Sequence, residues 1–564
     1  MPNFSDLLKN HYEQTPERVC VTILHAGQPD RPVTYQELIH GAAGYADTLR
    51  KNDIHPGDVV LLILQHGIDL LYAYFGTVLH GAIPSIMPFL TEKLLPERYR
   101  ADLAALVSVT QPTGIITYKD FEAEVRAALK PGEDSVKAVI VSDQADGPSA
   151  PDFTRLGGLR RKPEDIVLLQ HSSGTTGLQK GVALSHQAVF NQLTCYSETL
   201  HLNKEDVFVS WLPLYHDMGL IACWLMPILM GHPLVILSPF DWIRAPYRLL
   251  QAVSRYKGTL SWLPNFTYNF CAQKIRDRDL AGVDLSSWRA ISNCSEPMRW
   301  DSHQAFYERF KGLGLKYETL ATCYAMAENV FAVTQGGIDT PVVYEDIDRD
   351  SLQVEKIARP AVPEKPVVRM LGAGKAIANT AIRILDSKGQ PLPDRHVGEV
   401  ALKSDCMLTG YYHRPDATKK AFLNGWYLTG DYGYLVKGEL YITGRKKDLI
   451  IVGGKNIYPQ DLELLAYEVP GVHAGRASAF GVFNDASGTE DVVMVAEVDT
   501  EDVAERQKIA DGIRTAVTRG SAVALRFVHL VGKHWLVKTS SGKTARSANR
   551  EKFLKEMQEK GQAF

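Results

Sequence analysis

The sequence predicts an α/β fold whose sheets are largely parallel. Apolar runs of strand length alternate with helical runs across residues 1–160, and this alternation is typical of parallel sheets covered by helices. The 564 residues exceed one ordinary domain, so at least two structural units are expected. With 45% hydrophobic and 23% charged residues, the composition is that of a soluble globular protein.

The predicted elements follow from the spacing of apolar residues. A helix is expected over 35–49 and another from Leu70 onward. Strands are expected at 59–64, 83–86, 114–117, 136–141, 166–169 and 380–385. Residues 492–498 predict a strand and 503–517 an amphipathic helix, which suit a small C-terminal α/β unit.

Composition and local pattern exclude several classes of protein. The formal net charge of −3 gives no general attraction to nucleic acid or anionic membranes. Seven cysteines without a C-x-x-C pair, and an N-terminus unlike a signal peptide, fit a reducing cytoplasm. The apolar run Met218–Met230 contains Pro227 and is shorter than the ~20 residues of a membrane-spanning helix. A buried helix, a turn at 231–233 and a buried strand are expected there, with no transmembrane segment.

A loop rich in hydroxyl groups and glycine, His171–Gly181, follows the strand-like run 166–169. Glycines let backbone N–H groups converge on an anion, hydroxyls donate further hydrogen bonds, and a lysine neutralises charge. The pattern therefore predicts a polyphosphate site, although it lacks Walker A spacing and a plain polar surface loop is the alternative. Its candidate ligands are Ser172, Ser173, Gly174, Thr175, Thr176, Gly177 and Lys180.

The chain resembles the adenylate-forming enzymes, a family of acyl-CoA synthetases, fatty acyl-AMP ligases, luciferases and peptide-synthetase adenylation domains. Any single motif is weak evidence, but the set occurs in the family's order along nearly the whole chain. The motifs that carry the resemblance lie at 171–181, 211–219, 292–297, 322–328, 426–431, 440–452 and 538–546. The resemblance implies a large N-terminal domain of the acyl-CoA synthetase/luciferase type over 1–445 and a small mobile α+β lid over 446–564.

The resemblance also implies a site for ATP and AMP between these domains. Lys543 would neutralise charge at the reacting phosphate, and Lys447 would occupy the hinge. Asp431 would accept from the ribose hydroxyls after a turn, with Arg445 beside it. Glu328 and Thr175 would hold Mg²⁺. The other implied nucleotide contacts, besides the loop at 171–181, are Asn293, Ser295, Glu296, Cys323, Tyr324 and Ala325.

An acyl pocket is implied by two further matches, at 210–219 and 261–270. Taken alone, His216 beside Asp217 is a structural histidine, because no companion ligands at metal spacing are visible. By resemblance, His216 contacts or gates the substrate carboxylate. Peptide synthetases place an aspartate there, which disfavours amino-acid substrates and favours a fatty or related acid. The implied pocket residues are Tyr215, His216, Asn265, Phe266 and Tyr268.

Two features resemble the fatty acyl-AMP ligase branch of this family. The long segment 342–370 resembles that branch's insertion, a tolerated surface loop being the alternative, and Pro459–Glu463 is close to its P-Q-D-I-E motif. The resemblance implies formation of an acyl-adenylate, release of pyrophosphate, and acyl transfer to an acyl-carrier protein in trans. Residues 424–431 are closer to acyl-CoA synthetases, so CoA is an alternative acceptor. A non-catalytic adenylate-binding protein is a third hypothesis.

Overall fold

The computed structural model has the predicted α/β class and contains several sheets. The residues that the structure describes are 3–89, 96–171, 180–452, 455–473, 475–484, 489–521, 523–539 and 542–560. Their helices are α1 (Phe4–Gln14), α2 (Tyr35–Lys51), α3 (Ile68–His80), α4 (Pro96–Thr110), α5 (Glu122–Ala128), α6 (His186–Thr199), α7 (Met226–Met230), α8 (Pro239–Arg244), α9 (Tyr247–Tyr256), α10 (Asn265–Lys274), α11 (Trp300–Phe310), α12 (Pro415–Lys420), α13 (Pro459–Tyr467), α14 (Val503–Ser521) and α15 (Arg546–Glu559).

The strands of the described residues form sheets along the whole chain. They are β1 (Val19–Leu24), β2 (Arg31–Thr34), β3 (Val59–Ile63), β4 (Ile83–Ile86), β5 (Gly114–Thr117), β6 (Ala138–Val141), β7 (Ile166–His171), β8 (Gly181–Ser185), β9 (Phe208–Ser210), β10 (Leu234–Leu237), β11 (Leu260–Leu263), β12 (Ala290–Asn293), β13 (Leu320–Ala325), β14 (Ala332–Gly336), β15 (Tyr344–Asp348), β16 (Val367–Leu371), β17 (Lys375–Ala376), β18 (Thr380–Leu385), β19 (Gly398–Ser404), β20 (Gly410–Tyr411), β21 (Phe422–Leu423), β22 (Trp426–Val436), β23 (Glu439–Arg445), β24 (Ile450–Val452), β25 (Lys455–Ile457), β26 (Ala477–Asn484), β27 (Thr489–Glu497) and β28 (Leu525–Val531).

The first part of the chain confirms the predicted parallel pairing. Strands β4, β3, β5 and β6 lie side by side in that order, and every neighbouring pair is parallel. Helix α2 ends at Lys51, two residues beyond the predicted Leu49, and most of its residues are buried. It packs against α3, so it lies between layers and is not a simple amphipathic surface helix.

The largest sheet corrects the prediction of largely parallel pairing. From β1 to β13 its inner neighbours are parallel, but from β13 to β18 they are antiparallel. The connections explain the difference. Strands β22 and β23 are joined by only Lys437 and Gly438, at φ 51° and 82°, a two-residue hairpin turn that leaves no room for a crossover helix.

The apolar stretch from Met218 onward forms the expected buried helix, turn and strand. A π-helix over Met218–Leu225 continues into α7, Gly231 closes the helix at φ 81°, and β10 follows. Within the described ranges, no helix combines the length and apolar content required to cross a membrane. All seven cysteines are buried and unpaired.

The C-terminal part has a core of its own. A buried cluster from Ile450 to Leu525 packs α13 and α14 against the sheet β26–β27–β28. Helix α14 extends four residues beyond the predicted Val517, to Ser521. Polar contacts join this part to the rest: Arg299 pairs with Asp461 at 2.8 Å, the Gln460 side chain donates to the Thr443 carbonyl at 2.8 Å, and Arg349 donates to the backbone carbonyl of Gly520.

The segment predicted as an insertion is ordered into secondary structure. Strands β15 and β16 pair antiparallel, from Tyr344 opposite Leu371 to Asp348 opposite Val367. Between them, a short π-helix over Ser351–Glu355 follows Asp348, whose carboxylate accepts from Lys365 at 2.8 Å. The segment is therefore a hairpin with its own polar contacts, and Arg349 joins it to the C-terminal part.

Candidate active site

One cavity gathers most of the predicted site residues. Its volume of about 3170 Å³ exceeds the ~300–1,000 Å³ of an ordinary small-molecule pocket, so it has room for more than one substrate. It is bounded by the ends of strands in the largest sheet and by the C-terminal part. The predicted residues that line it are Lys180, Tyr215, His216, Asn265, Phe266, Ser295, Glu296, Cys323, Tyr324, Ala325, Glu328, Asp431, Arg445, Lys447 and Lys543.

The glycine-rich loop is only partly described. Ser172, Ser173, Gly174, Thr175, Thr176 and Gly177 lie outside the described residues. Strand β7 ends at His171 and β8 begins at Gly181, so the antiparallel pair fixes both ends of the loop at the cavity. The ammonium of Lys180 lies 4.6 Å from the centre of the Tyr411 ring.

Glu328 lies in a 3₁₀ turn, Ala327–Asn329, on the same side of the cavity. The Tyr411 hydroxyl donates to its Oε1 at 2.9 Å and lies 3.0 Å from the Tyr427 hydroxyl. Burial raises the pKa of Glu328, although the hydrogen bond from Tyr411 opposes this. Sequence reasoning missed Tyr411 as a site residue. Its only signal was its place in the Gly410–Tyr412 run.

A backbone turn beside Glu328 is strained. Val330 has φ 62° and ψ −57°, a region that β-branched residues rarely adopt. Gln170, at the end of β7, donates from its side chain to the Val330 carbonyl at 3.1 Å. The turn that carries Glu328 is therefore tied directly to the strand that carries the glycine-rich loop, and Gln170 is a second residue that sequence reasoning missed.

The residues of the site fit a magnesium ion on a polyphosphate. Tyr411 occupies one oxygen of the Glu328 carboxylate, and the group faces a cavity also lined by Lys180. Among the described residues there is no cluster of three metal-ligating side chains. Magnesium is usually held by one or two carboxylates with phosphate oxygens and water completing its shell, so a single carboxylate suffices.

Asp431 and Arg445 face each other across a strand pair. Asp431 lies within β22, opposite Arg445 in β23, so the predicted placement after a turn is wrong. The pair register shifts between Tyr432 and Gly433, which marks a bulge next to Asp431. The Tyr324 hydroxyl donates to Asp431 Oδ2 at 2.7 Å, and Arg445 Nε lies 3.3 Å from Oδ1. The Asp431 carboxylate raises the pKa of Arg445.

Two predicted residues lie behind the wall of the cavity. Asn293 is fully buried, and its side chain donates to Asn265 Oδ1 at 2.9 Å. Tyr268 is also fully buried, and its hydroxyl donates to the Ile291 carbonyl at 3.0 Å. The structure therefore gives both residues supporting positions, in contrast to the direct contacts expected of them.

The opposite end of the cavity is aromatic. The Trp211 and Trp242 rings stack with centroids 3.6 Å apart, and Phe266 packs at their edge. His216 lies nearby with its Nδ1 2.6 Å from Asp217 Oδ1. Burial alone would raise the pKa of Asp217, but His216 and Lys543 together lower it. His216 is thus oriented by a charged carboxylate between the apolar wall and the polar part of the cavity.

Lys543 reaches the cavity from the C-terminal part. Its backbone N–H donates to Thr539 Oγ1 at 3.1 Å, and its carbonyl accepts from the Thr539 N–H at 2.8 Å, so two hydrogen bonds hold Lys543 beside Thr539. Burial and the Arg445 guanidinium lower the pKa of Lys543, while Asp217 and Glu296 oppose that shift. Burial raises the pKa of Glu296.

The segment that follows Lys543 is attached to the segment that carries Lys447. Lys447 lies in a 3₁₀ helix, Lys446–Asp448, and burial and Arg445 lower its pKa. Arg546, three residues after Lys543, binds Glu463 through two hydrogen bonds of 2.8 and 2.7 Å and Asp448 through one of 3.0 Å. Arg546 was known from the sequence only as the end of a motif, and its buried pairing was not predicted.

Known proteins resemble this chain over nearly its full length. A family model described as AMP-binding enzyme matches residues 8–412. The medium-chain-fatty-acid–[acyl-carrier-protein] ligase JamA of Moorena producens is 30% identical over 98% of this chain and 96% of its own length. A putative acyl-CoA synthetase of Caulobacter vibrioides is 30% identical over 94% of this chain and 91% of its own.

A solved structure from a study of fatty acyl-adenylate ligases of E. coli and L. pneumophila has a TM-score of 0.88 to this chain. It is 28% identical, and the match covers 99% of this chain and 98% of the other. The similarity therefore includes the C-terminal part with Lys543 as well as the larger N-terminal part.

Proposed function

Because this chain belongs to the AMP-binding enzyme family, we propose that it activates a fatty or related carboxylic acid with ATP and transfers the acyl group to an acyl-carrier protein. The observation that carries the proposal is the arrangement of one cavity. Cations from two parts of the chain, Lys180 and Lys543, line it together with the Tyr324–Asp431 pair and an aromatic end.

In the first step a carboxylate oxygen of the acid attacks the α-phosphorus of ATP. The bond from that phosphorus to the β-phosphate oxygen breaks, pyrophosphate leaves, and an acyl-adenylate forms. Both reactants are anions, so the site has to orient them and neutralise negative charge. Lys543 does so at the reacting phosphate, and Lys180 holds the departing pyrophosphate. Burial, together with the nearby Arg445 guanidinium, lowers the pKa of Lys543, and two cations held this close together suit a site that receives anions.

The remaining polar residues hold the nucleotide. Asp431 accepts from the ribose hydroxyls, with Tyr324 and Arg445 fixing its two oxygens. Glu328 would hold magnesium, which supplies charge neutralisation on the phosphates when bound. The segment 172–177 contributes hydroxyls and backbone N–H groups, and Ser295, Glu296, Cys323 and Ala325 line the space beside Tyr324.

The acid lies at the aromatic end, with its carboxylate toward His216. Stacked Trp211 and Trp242 with Phe266 and Phe270 offer an apolar wall that suits an alkyl or aryl chain. His216 donates toward the carboxylate while Asp217 fixes its ring. Tyr215 and Asn265 complete this wall.

In the second step the phosphopantetheine thiol of a carrier protein attacks the acyl carbonyl and AMP leaves. The name of the Moorena producens relative supports a carrier protein as acceptor. The name of the Caulobacter vibrioides relative supports CoA as the second candidate.

We assign 1–445 to the N-terminal domain, 446–564 to the lid with Lys447 at the hinge, and 342–370 to the insertion. Separate apolar cores before and after this boundary support the division. Seven buried, unpaired cysteines support a cytoplasmic location.

The proposal is tested by incubating the protein with ATP, magnesium and a panel of fatty and aromatic acids, with a holo-carrier protein, CoA or neither. Mass spectrometry is expected to detect acyl-AMP without an acceptor and acyl-carrier thioester with the carrier. Efficient acyl-CoA formation without carrier transfer would establish the second candidate. Absence of pyrophosphate release with every acid would favour a non-catalytic adenylate-binding protein.

Lys543→Ala is expected to bind ATP but to lose acyl-AMP formation by ~100-fold or more, because a charge-stabilising group at the reacting phosphate is removed. ATP–pyrophosphate exchange measures this loss, and isothermal titration measures ATP binding. Lys533→Ala is the matched control, since Lys533 is an exposed lid lysine paired with Asp499 at 3.1 Å outside the cavity lining. Full exchange activity in Lys543→Ala would overturn the assignment.

A further inference from the structure

We propose that a basic surface beside the cavity mouth binds the acidic face of the carrier protein that delivers the thiol. This inference rests on the proposed function, because it names where the proposed acceptor docks. The surface, called here the basic entry face, comprises Arg383, Lys403, Arg414, Lys419, Lys420 and Trp426.

Strand register gives this surface its orientation. Ala401 in β19 lies opposite Arg383 in β18 on one side and Leu428 in β22 on the other. Since side chains alternate along a strand, Lys403 shares the face of Ala401 and Trp426 shares the face of Leu428. The opposite face carries Ile384, Leu402 and Tyr427, which are buried in the main core. The basic and aromatic side chains therefore lie on the solvent side of this end of the sheet.

Part of the basic entry face lines the cavity. Leu428, on the same strand face as Trp426, lines the cavity. Arg414 and Lys420, at the two ends of α12, are exposed and also line it. The Leu428 N–H donates to the Ala421 carbonyl at 2.8 Å, which fastens the end of α12 to β22. A partner seated on this face is thus held at the opening through which its thiol has to enter.

The charges of the basic entry face are not neutralised within the molecule. Its five cations are exposed, and in the part of the chain that the structure describes none of them forms an ion pair. The Arg383 guanidinium lies 4.3 Å from the Trp426 ring centre, an arrangement that keeps its charge and adds a flat apolar surface. Asp416 is the one carboxylate on α12. Because the whole chain has a formal charge of −3, this local excess of positive charge is a feature of this face.

An acidic protein fits these observations best. A positive face meeting a negative one increases the encounter rate and orients the partner. Nucleic acids and anionic lipids would be attracted by the same charges, but neither brings a thiol to the acyl-adenylate. CoA is anionic and brings a thiol, but Arg383, Lys403 and Lys419 lie outside the cavity lining, where a protein partner rather than a small thiol would rest on them. The position of the face at the mouth therefore favours a carrier protein.

The test is a charge-reversal variant, Arg383→Glu with Lys403→Glu and Lys419→Glu, which leaves the cavity-lining Arg414 and Lys420 in place. A matched control reverses three exposed lysines that do not line the cavity, Lys162, Lys204 and Lys316. Both variants and the unaltered protein are assayed with a holo-acyl-carrier protein, with free pantetheine and with CoA, and ATP–pyrophosphate exchange reports the first step separately.

For the charge-reversal variant, the KM for the holo-carrier is expected to rise ~10-fold or more, with exchange and transfer to pantetheine unchanged. Added salt is expected to raise the KM of the unaltered protein and to leave that of the variant nearly constant. An unchanged KM for the carrier would overturn the inference while the proposed function stands. Acyl-AMP formation by the unaltered protein without any carrier transfer would overturn both. Loss of binding to phosphatidylglycerol vesicles with normal carrier kinetics would assign the face to membranes instead.

Discussion

At the scale of single residues, the buried carboxylate of Glu328 combines a structural cost with a proposed role. Tyr411 supplies one hydrogen bond, but burial still raises the pKa of Glu328. A carboxyl group whose folded-state pKa is raised binds more protons folded than unfolded. Stability is therefore lost as the pH rises above the ordinary value of 4.5 toward the folded-state pKa.

Glu328→Gln is consequently expected to stabilise the magnesium-free protein at neutral pH and to lower ATP–pyrophosphate exchange ~100-fold, since the amide binds magnesium poorly. Thermal unfolding followed from pH 7 down to pH 4 measures the first effect, and the gain is expected to vanish at the acidic end. Glu439→Gln is the control, because burial raises the pKa of Glu439 as well and it does not line the cavity. A Glu328 variant with full exchange activity would contradict the assignment.

Sequence predicted the identity of these residues better than their partners. The resemblance to adenylate-forming enzymes, which the relatives and the solved structure confirm, supplied Asp431 and Glu328 by motif position. Motif position cannot supply Tyr411 or Gln170, because their contacts cross 83 and 160 residues of sequence. Asn293 and Tyr268 were predicted as contacts from their place in motifs, yet neither lines the cavity, and each hydrogen-bonds a backbone or side-chain partner.

At the scale of elements, the start of α15 joins three parts of the lid. Arg546 is the first residue of this helix and binds carboxylates from α13 and from the Lys446–Asp448 turn. The three side chains are 18%, 7% and 6% exposed, so removal of the cation would leave two nearly buried carboxylates without their directly bound partner. Breaking a buried ion pair from one side generally destabilises a protein by several kcal/mol.

Arg546→Leu is therefore expected to lower lid stability by about 3–5 kcal/mol. Hydrogen exchange of the lid amides measures the change directly. Arg550→Leu, on an exposed position of the same helix, is the control and is expected to have little effect. Equal protection in the two variants would show that the Arg546 pairs contribute no net stability.

Two glycines beside strands of the largest sheet allow the stability cost of backbone strain to be measured separately from the cost of steric crowding. Gly374 has φ 96°, and a Cβ there would lie 2.1 Å from the Gln335 carbonyl carbon. Gly438, in the β22–β23 turn, has φ 82° but open space around a Cβ. Gly438→Ala is expected to cost about 1 kcal/mol and Gly374→Ala at least ~3 kcal/mol, because only the latter also forces strands apart. Denaturant unfolding of both variants measures the difference, and equal losses would mean that the sheet relaxes around Gly374.

In the largest sheet, the positions of the strands could be predicted from the sequence, but the direction in which they pair could not. Strand positions such as 59–64 and 380–385 follow from apolar and β-branched runs, and the structure has strands there. Their pairing direction depends on the length and turn chemistry of the connections. The two-residue connection Lys437-Gly438 fixes a hairpin only once the strand ends on either side are known, and the antiparallel joining of β14 to β17 is a long-range contact with no local pattern.

At the scale of the whole molecule, the ion pair between Arg299 and Asp461 links the two parts that form the cavity. Arg299 and Asp461 lie 2.8 Å apart and are 24% and 32% exposed, a degree of exposure at which ion pairs contribute ~0.5 kcal/mol. Arg299→Ala is expected to increase the population of displaced lid about twofold, since ~0.5 kcal/mol corresponds to that factor.

Energy transfer between one dye on the N-terminal part and one on the lid measures the lid population. Asp461→Ala is expected to give the same change, with no further change in the double variant. Arg476→Ala is the control, because Arg476 pairs with Glu497 at 2.7 Å inside the lid. A distance distribution that is identical before and after Arg299→Ala would exclude a role for the pair in lid position.

Because every native cysteine is buried, this experiment can be done without substituting the native cysteines. Burial raises the pKa of Cys20 and of Cys223 to about 12, so these groups stay protonated and shielded at neutral pH. A thiol introduced at an exposed position, for example by Lys204→Cys or Lys555→Cys, would react with a maleimide dye much faster. The native thiols therefore react little with such dyes, and a single introduced cysteine can be labelled selectively.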